Sequence, residues 1–394
     1  MRKLRVVFLA SAAAGMLAAA CGDDDNVVRN RPDGGVVDAG PIDAAPDAAN
    51  PCDITLPPTY DSPGYDTNAA VELGLRNKLD AFLKPMRDAE NDFADGGAPA
   101  PVTKAQLVTL YTDGNPNIKG ITTVFYQPKV DAWFGEYEEA FTAGPFTPTD
   151  PPPAKGGTYG KWVMSARAVD LHQAIEKGTY VAGFYNHALG VLSSGPITEA
   201  TIDRLIAAFG AHPSFPGDPA ALQNKDVNSA ALAARRSRDP ALTGPYVKMK
   251  QAAIKAKASI AAGAKCAADR DAAIKTFLSE WERSSYATVI FDFNDIIADK
   301  LSPGKFAEAL HAYGEGIGLI AGFRTIPQDR RIVTDAQIDK MLSDALSPVT
   351  AASEAFKLQT ASVQAAAGLQ QVMSDIKTIY GFSDAEIASF KKFD

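Results

Sequence analysis

The 394-residue sequence has few of the residues that carry metal or redox chemistry, with three cysteines and four histidines. It contains no Cys-x-x-Cys pair, which excludes the common cysteine zinc motifs. It also lacks the Gly-x-Ser-x-Gly, phosphate-binding-loop, Gly-x-Gly-x-x-Gly and His-Glu-x-x-His motifs. Nothing in the sequence therefore favours nucleophilic catalysis.

Basic residues are in the minority, with 39 Lys and Arg against 47 Asp and Glu, and the formal net charge is −8. When the three basic residues of an N-terminal signal are removed, −8 becomes −11 for the mature chain. This acidic balance argues against nucleic acid as a partner. After residue 20 no run of uninterrupted apolar residues is long enough to span a bilayer, so we expect no later membrane helix.

Residues 1–20 (MRKLRVVFLASAAAGMLAAA) have the basic start and short apolar stretch of an export signal. Cys21 directly follows small residues, as at a bacterial lipoprotein cleavage site, although Ala18 stands where a branched aliphatic residue is usual. We predict that Cys21 is lipidated and anchors the protein to a membrane. A plain secretory signal with a cysteine beside its end is the alternative. Gly22 in place of Asp favours the outer membrane, on its periplasmic or surface face.

Residues 21–56 are rich in Asp, Pro, Ala and Gly, which predicts a disordered acidic tether. A flexible chain of this length reaches on the order of 30 Å. Two further cysteines, Cys52 and Cys266, lie near its end and in the folded part. Export would allow a Cys52–Cys266 disulfide that staples the tether to the folded body. Two free thiols are the alternative.

The folded part, residues 57–394, is predicted to be all-α because apolar residues recur at helical spacing. Residues 268–299 form the longest such run; its TVIFDF core alone fits a strand, but helical flanks without turn residues favour a helix. The Pro- and Gly-rich segments 144–158 and 211–220 predict loops. Residues 68–89 have helical spacing at Val71, Leu75, Leu79, Phe82 and Leu83. Capping boxes predict helix starts at Thr103, Thr334 and Ser383.

One segment occurs twice in the folded part. Residues 171–184 (LHQAIEKGTYVAGF) and 310–323 (LHAYGEGIGLIAGF), here called the twin segments, are identical at six of fourteen positions. A second pair follows in the same order, ITEATIDRLI at 197–206 and VTDAQIDKML at 333–342. The shared order and spacing predict an ancient duplication. The two helical bundles would span about 57–240 and 241–394 and pack as pseudo-equivalent halves.

Each twin segment carries a His-x-x-x-Glu pair, His172 with Glu176 and His311 with Glu315. Residues four apart lie on one face of a helix, so each pair is a candidate two-point chelate. A pseudo-twofold axis could gather the four side chains around one divalent cation, and these donors suit iron or zinc. The alternative is structural: each Glu orients its His, and the glycine-rich helices pack closely.

Three stretches resemble the signatures of a bacterial lipoprotein family that is known as a domain of unknown function and is related to the imelysin-like proteins. They are VDLHQAIEKG (169–178), WERSSYATVIFDFND (281–295) and LHAYGEGIGLIAGFR (310–324). Residues 60–84 resemble the start of that family, and the likeness covers about residues 60–390.

This resemblance implies two fused helical bundles in an exported, envelope-bound protein associated with iron uptake. The imelysin-like proteins were first described as metallopeptidases, and their hallmark is Gly-x-His-x-x-Glu. The hallmark His corresponds to His172. Asp170 stands at the Gly position, Ile175 at the Glu position, and Glu176 follows one residue later.

Three functions remain open at this stage. The favoured one is a ligand-binding envelope lipoprotein, related to iron, with its site at the seam between the bundles. A metal-dependent hydrolase ranks lower because no zincin motif or general base accompanies the His-x-x-x-Glu pairs. A structural or interaction lipoprotein without a small-molecule site is the third.

Overall fold

The computed structural model describes residues 52–215 and 226–392, which belong to one compact unit. The signal, Cys21, the tether up to residue 51 and the end of the predicted 211–220 loop lie outside the described residues. The predicted all-α class is confirmed. The helices are α1 (Tyr65–Asn68), α2 (Ala70–Ala94), α3 (Lys104–Tyr111), α4 (Ile118–Ile121), α5 (Gln127–Ala143), α6 (Leu171–Thr179), α7 (Asn186–Ser193), α8 (Glu199–Phe209), α9 (Asn228–Arg235), α10 (Pro245–Ala261), α11 (Ala267–Asp295), α12 (Phe306–Gly322), α13 (Asp335–Asp344), α14 (Lys357–Thr360), α15 (Ser362–Tyr380) and α16 (Asp384–Phe390).

Among residues 52–215 and 226–392, one small hairpin interrupts the helical architecture. Strands β1 (Gly157–Tyr159) and β2 (Trp162–Met164) pair antiparallel around a turn at Gly160, whose φ is +63°. The predicted loop 144–158 therefore ends sooner than expected. Its two ends are held together because Thr158 N donates to the Gly144 carbonyl at 2.7 Å and Phe146 N donates to the Thr158 carbonyl at 2.8 Å.

The longest helix, α11, forms the centre of the core. Trp281 is fully buried, and its ring packs edge-to-face on Tyr185 at 5.1 Å and on Phe209 at 5.0 Å. Tyr286, five residues on, stacks on Phe323 at 5.4 Å. A helix surrounded by neighbours needs apolar residues on every face, which is why TVIFDF fits a strand by composition and is a helix here. A π-helical turn at Ile296–Lys300 ends it.

The start of the folded part is held by polar contacts that periodicity did not indicate. Val71, expected on the apolar face of α2, is 44% exposed. Its neighbour Glu72 is fully buried and contacts His187 at 2.8 Å and Arg204 at 2.8 Å. An ion pair thus replaces apolar packing at this end of α2. The other four residues of the predicted face, from Leu75 onwards, are buried as expected.

Cys52 and Cys266 form a disulfide with a Cα–Cα distance of 4.9 Å, so of the two alternatives the structure has the bridge. Cys266 lies in a 3₁₀ turn, Ala264–Cys266, directly before α11. The bridge therefore joins the first described residue of the chain to the start of the central helix.

The twin segments pack against each other as α6 and α12. Gly314, Gly318 and Gly322 follow one another at four-residue spacing on the face of α12 that meets α6. A Cβ atom at Gly318 would lie 3.0 Å from the Ala174 carbonyl oxygen and 3.1 Å from Gly178 N. The two backbones are therefore in direct contact, and the close packing expected from the glycines is confirmed.

The helices formed by the twin segments differ in regularity. A π-helical turn, Tyr180–Tyr185, joins α6 to α7, so residues 171–193 form one continuous helix. This turn leaves the Ala182 carbonyl free to accept from Thr123 N at 2.8 Å. The corresponding part of α12 is regular to Gly322.

The second repeated pair begins α8 and α13, each after a threonine cap. The aspartates at the same repeat position have different partners. Asp203 accepts from Ser62 and Asn68, both at 2.7 Å, whereas Asp339 accepts from Arg324 at 2.6 Å. The repeat thus extends to the helix starts and caps, and the duplication itself stays a prediction.

Candidate functional site

The face between α6 and α12 brings the predicted His and Glu side chains into one ionic cluster. We call this cluster the seam; it consists of Glu90, Asp170, His172, Glu176, Lys177, His311 and Glu315. What the seam can bind depends on which of its charged groups pair with one another and which remain free for a ligand.

His172 pairs with a carboxylate that lies 82 residues away in the sequence. Its Nδ1 is 3.0 Å from Glu90 Oε1 on α2, and both side chains are buried. Burial lowers the pKa of His172, but the attraction of Glu90 outweighs it and raises the pKa to about 9. Burial raises the pKa of Glu90, against the attraction of His172. At neutral pH the two groups form an ion pair in which Nδ1–H donates, because the attraction of the Glu90 carboxylate keeps the proton on the ring.

His311 pairs with the residue that caps the opposite helix. Its Nδ1 lies 2.9 Å from Asp170 Oδ2, while Asp170 Oδ1 accepts from Gln173 N at the start of α6. Its ring stacks on Trp162 with centroids 4.6 Å apart. Burial lowers the pKa of His311, and the hydrogen bond and charge of Asp170 raise it above its ordinary value. Neither histidine is hydrogen-bonded to the Glu one turn further along its own helix. The structural alternative, in which each Glu orients its His, is therefore not observed.

Glu176 and Glu315 do meet, around a cation that the chain itself supplies. Lys177 Nζ lies 2.9 Å from Glu176 Oε2 and 3.1 Å from Glu315 Oε1. Tyr180 donates to the other Glu176 oxygen at 2.6 Å. Burial lowers the pKa of Lys177, but the two carboxylates raise it well above its ordinary value. In the second twin segment Gly316 stands at the position of Lys177, so a single lysine forms ion pairs with both glutamates.

Each charged side chain of the seam thus has a partner within the seam, although His172 Nε2 is buried without a hydrogen-bond partner. Among residues 52–215 and 226–392, no group of three or more His, Cys, Asp or Glu side chains is arranged to hold a metal ion. The four predicted ligands split into two histidines on separate carboxylates and two glutamates on one ammonium. Sequence reasoning missed Glu90 and Lys177. Asp170 carried a signal, because an Asp directly before an apolar periodic run marks a helix cap.

Cavities lie elsewhere in the described part of the chain. A cleft of about 520 Å³, here called the α11 cleft, opens between the end of α7, the first half of α11 and residues 329–332. Its aliphatic residues are Leu192, Ile197, Ile274, Leu278 and Ile332. Its charged residues are Arg270, Asp271, Lys275, Asp329, Arg330 and Arg331. None of these residues belongs to the seam.

A wider groove of about 650 Å³ lies between residues 56–58, α10 and α11. Its lysines already have partners: Lys248 lies 3.8 Å from Glu280, and Lys255 lies 2.7 Å from Asp269. The third, Lys250, donates to a backbone carbonyl. None of the lysines that line the groove is therefore without a partner.

The wall of the α11 cleft formed by residues 329–332 is fixed in place. Tyr185 donates to the Arg330 carbonyl at 2.6 Å. The buried carboxylate of Glu282 accepts from Ile332 N at 2.7 Å and from Val333 N at 2.8 Å. Burial raises the pKa of Glu282, and these donors oppose that rise. Residues 329–332, which begin in a 3₁₀ turn at Gln328–Arg330, are thus held at several points, so the cleft is preformed.

Within the described residues, no helix is long and apolar enough to cross a membrane. A comparison of the chain with protein-family models, with curated proteins and with solved structures finds no match. The resemblance to the imelysin-like proteins therefore stays a prediction, and the function must be argued from the geometry of the site.

Proposed function

We propose that this chain is an exported, lipid-anchored envelope protein that binds a small ligand in the α11 cleft. The observation that carries this proposal is the cleft itself. Its volume of about 520 Å³ falls within the 300–1,000 Å³ typical of ligand pockets. It combines an aliphatic floor with charged groups on a wall that is already fixed, so binding would order little of the protein.

The disulfide supports the export part of the proposal, because such bonds persist in oxidising compartments. Anchoring rests on Cys21 and the signal before it, and we place the protein at the outer membrane because Gly22 follows that cysteine. Replacing Cys21 by Ser should move the protein from the detergent-extracted membrane fraction to the soluble fraction. An unchanged membrane fraction would overturn the lipid anchor.

We also propose that the fold arose by duplication and is imelysin-like. Two observations support this: α6 and α12, which carry the twin segments, pack backbone to backbone, and the second repeated pair begins α8 and α13. The ligand site we propose does not lie at that packing face. The geometry does not favour iron binding at the seam, because Lys177 occupies the space between the two glutamates and pairs with both.

Ligand binding can be tested by filling the cleft. Ser279 lines it, and Ser279→Trp would occupy part of its volume. Ser374, an exposed serine on α15 away from the cleft, provides the matched control Ser374→Trp. Protein isolated from the cell envelope would be weighed by native mass spectrometry. We expect a non-covalently bound mass, released on denaturation, in the wild type and in the control that the Ser279→Trp variant lacks. The same mass in all three proteins, or none in any, would contradict the proposed function.

A metal-dependent hydrolase would need an open coordination position beside a concave site. Among the described residues no three His, Cys, Asp or Glu side chains are arranged to hold a metal ion, and the cleft contains no histidine. The structural or interaction alternative makes the opposite prediction to ours in the cleft-filling experiment, because it requires no bound mass.

A further inference from the structure

We infer that the α11 cleft takes an amphipathic anion, a small molecule with a carboxylate or phosphate head on a short aliphatic body. This inference rests on the proposed function and specifies its ligand class. It is carried by three features of the cleft: its charge, one buried guanidinium with a free nitrogen, and its aliphatic floor.

The cleft is cationic in an acidic protein. Its lining has four Arg and Lys side chains and two Asp side chains, whereas the whole chain has a net charge of −8. Asp271 and Asp329 each pair with the neighbouring arginine, Arg270 and Arg330 respectively. Lys275 is exposed and makes no ion pair among the described residues. A concave, partly apolar site concentrates the field of such charges and attracts anions.

Arg331 supplies the second feature. Its side chain is only 2% exposed, Nε donates to the Ile326 carbonyl at 2.7 Å, and Nη2 contacts Asp335 at 2.8 Å. The remaining nitrogen, Nη1, is buried and has no hydrogen-bond partner. A buried N–H of a charged group without an acceptor is costly. An anionic head in the cleft would provide that acceptor, and a planar guanidinium suits carboxylate and phosphate oxygens.

The apolar residues define the rest of the ligand. Ile274 and Leu278 lie one turn apart on α11 and form the floor, and Ile332 is 38% exposed on the opposite wall. An exposed isoleucine beside a buried arginine matches a ligand with an apolar body next to its charge. A neutral or cationic amphiphile would leave Lys275 and Arg331 Nη1 without a partner.

The probes are decanoate and decyl phosphate, with 1-decanol as the neutral control and decyltrimethylammonium as the cationic one. Isothermal titration of the wild-type protein should show binding of both anions. We expect decanol to bind about tenfold more weakly or worse, and the cation not to bind measurably. Raising NaCl from about 50 to about 500 mM should weaken binding of the anions, because salt screens exposed charges.

Two variants assign the binding to the cleft. Lys275→Gln removes a free cation and should weaken decanoate binding about threefold or more, whereas Lys377→Gln on α15 should leave it unchanged. Ile332→Ser keeps the backbone N–H that donates to Glu282 but removes an apolar wall of the cleft, so it should also weaken decanoate binding. Val363, which is 83% exposed, provides the control Val363→Ser. The decanoate affinity of Arg331→Gln is interpreted only if its circular dichroism spectrum is native. Lys275→Gln tests the inference whatever that spectrum shows.

The outcomes separate the inference from the proposed function. Equal affinity for decanol and decanoate, or unchanged affinity in Lys275→Gln, would overturn the anionic ligand class and leave ligand binding in place. Failure of all four probes to bind would also overturn the inference. The mass retained by Ser374→Trp and lost by Ser279→Trp would then decide the proposed function on its own.

Discussion

Replacing Lys177 by Met removes the cation at the centre of the seam and keeps an unbranched side chain of similar length. In the wild type the ammonium lies 2.9 Å from a Glu176 oxygen and 3.1 Å from a Glu315 oxygen. The variant would leave two carboxylates close together in a largely buried site with no positive charge between them. Such an arrangement is unfavourable through both desolvation and repulsion.

The size of the expected loss in unfolding free energy follows from the pKa shift of Glu176. Burial raises its pKa, but Lys177, His172 and Tyr180 outweigh burial and lower the pKa from 4.5 to about 2. At about 1.4 kcal/mol for each pKa unit, this shift corresponds to about 3 kcal/mol, and Lys177 makes the largest favourable contribution. Breaking a buried pair by removing one partner costs about 3–5 kcal/mol. We therefore expect the variant to lose ~3 kcal/mol of unfolding free energy at neutral pH.

Urea unfolding followed by circular dichroism measures this loss. The folded-state pKa of Glu176 is lowered in the wild type, so its stabilisation is present above pH 4.5 and disappears as the pH falls towards 2. Without Lys177 the carboxylates should bind protons more readily than in the unfolded chain. The deficit of the variant should therefore shrink between about pH 7.5 and about pH 5. Adding Glu315→Gln should restore part of the loss.

Lys84→Met is the matched control, because Lys84 is 59% exposed and pairs with Asp88 one turn away on α2. We expect it to change the unfolding free energy by less than about 0.5 kcal/mol. A Lys177→Met deficit below about 1 kcal/mol, or one that is equal at both pH values, would refute our account of the seam. A metal ion that purifies with the wild type and is lost from the His172→Ala/His311→Ala variant would refute it too.

Three further predictions concern stability. Because the folded-state pKa of His172 is raised to about 9, its stabilisation is complete below pH 6.5 and should fade as the pH rises through 9; urea midpoints should show this decline, and His172→Gln should flatten it. Gly318→Ala should destabilise by about 1–3 kcal/mol, since its Cβ would meet backbone atoms of α6, whereas Gly190→Ala, with open space around it, should stabilise by about 0.5–1 kcal/mol; equal effects in thermal unfolding would contradict the close packing. Replacing Cys52 and Cys266 by Ser should lower the unfolding free energy by about 2–5 kcal/mol, and an unchanged urea midpoint would argue against the bridge.

Local sequence signals were sufficient for the helical class because each acts over a few residues. The capping boxes at Thr334 and Ser383 form with both reciprocal hydrogen bonds, as predicted. At Thr103 only half of the motif forms: the hydroxyl accepts from Gln106 N, and the neighbouring Lys104 amide donates to Glu138 on α5. A side chain from another helix thus accepts from an amide at the start of α3, which the local motif did not predict.

The site was harder to predict because its pairings are tertiary. The four-residue spacing of His172 and Glu176 is correct, yet Glu90, 82 residues away, is the partner of that histidine. Helical periodicity places side chains on faces but does not say which face meets which. The role of Lys177 was likewise hidden, because a Lys beside a Glu is usually exposed, and only the approach of α12 buries it.

The bridge between Cys52 and Cys266 also determines how mechanical load enters the molecule. A pull on the chain before residue 52 passes through the bond to the start of α11. Residues 53–265 form a covalently closed loop and are spared the direct tension that would otherwise peel α1 and α2 from the body. Tension from the N-terminal side thus reaches the folded part at the start of α11 rather than at α1.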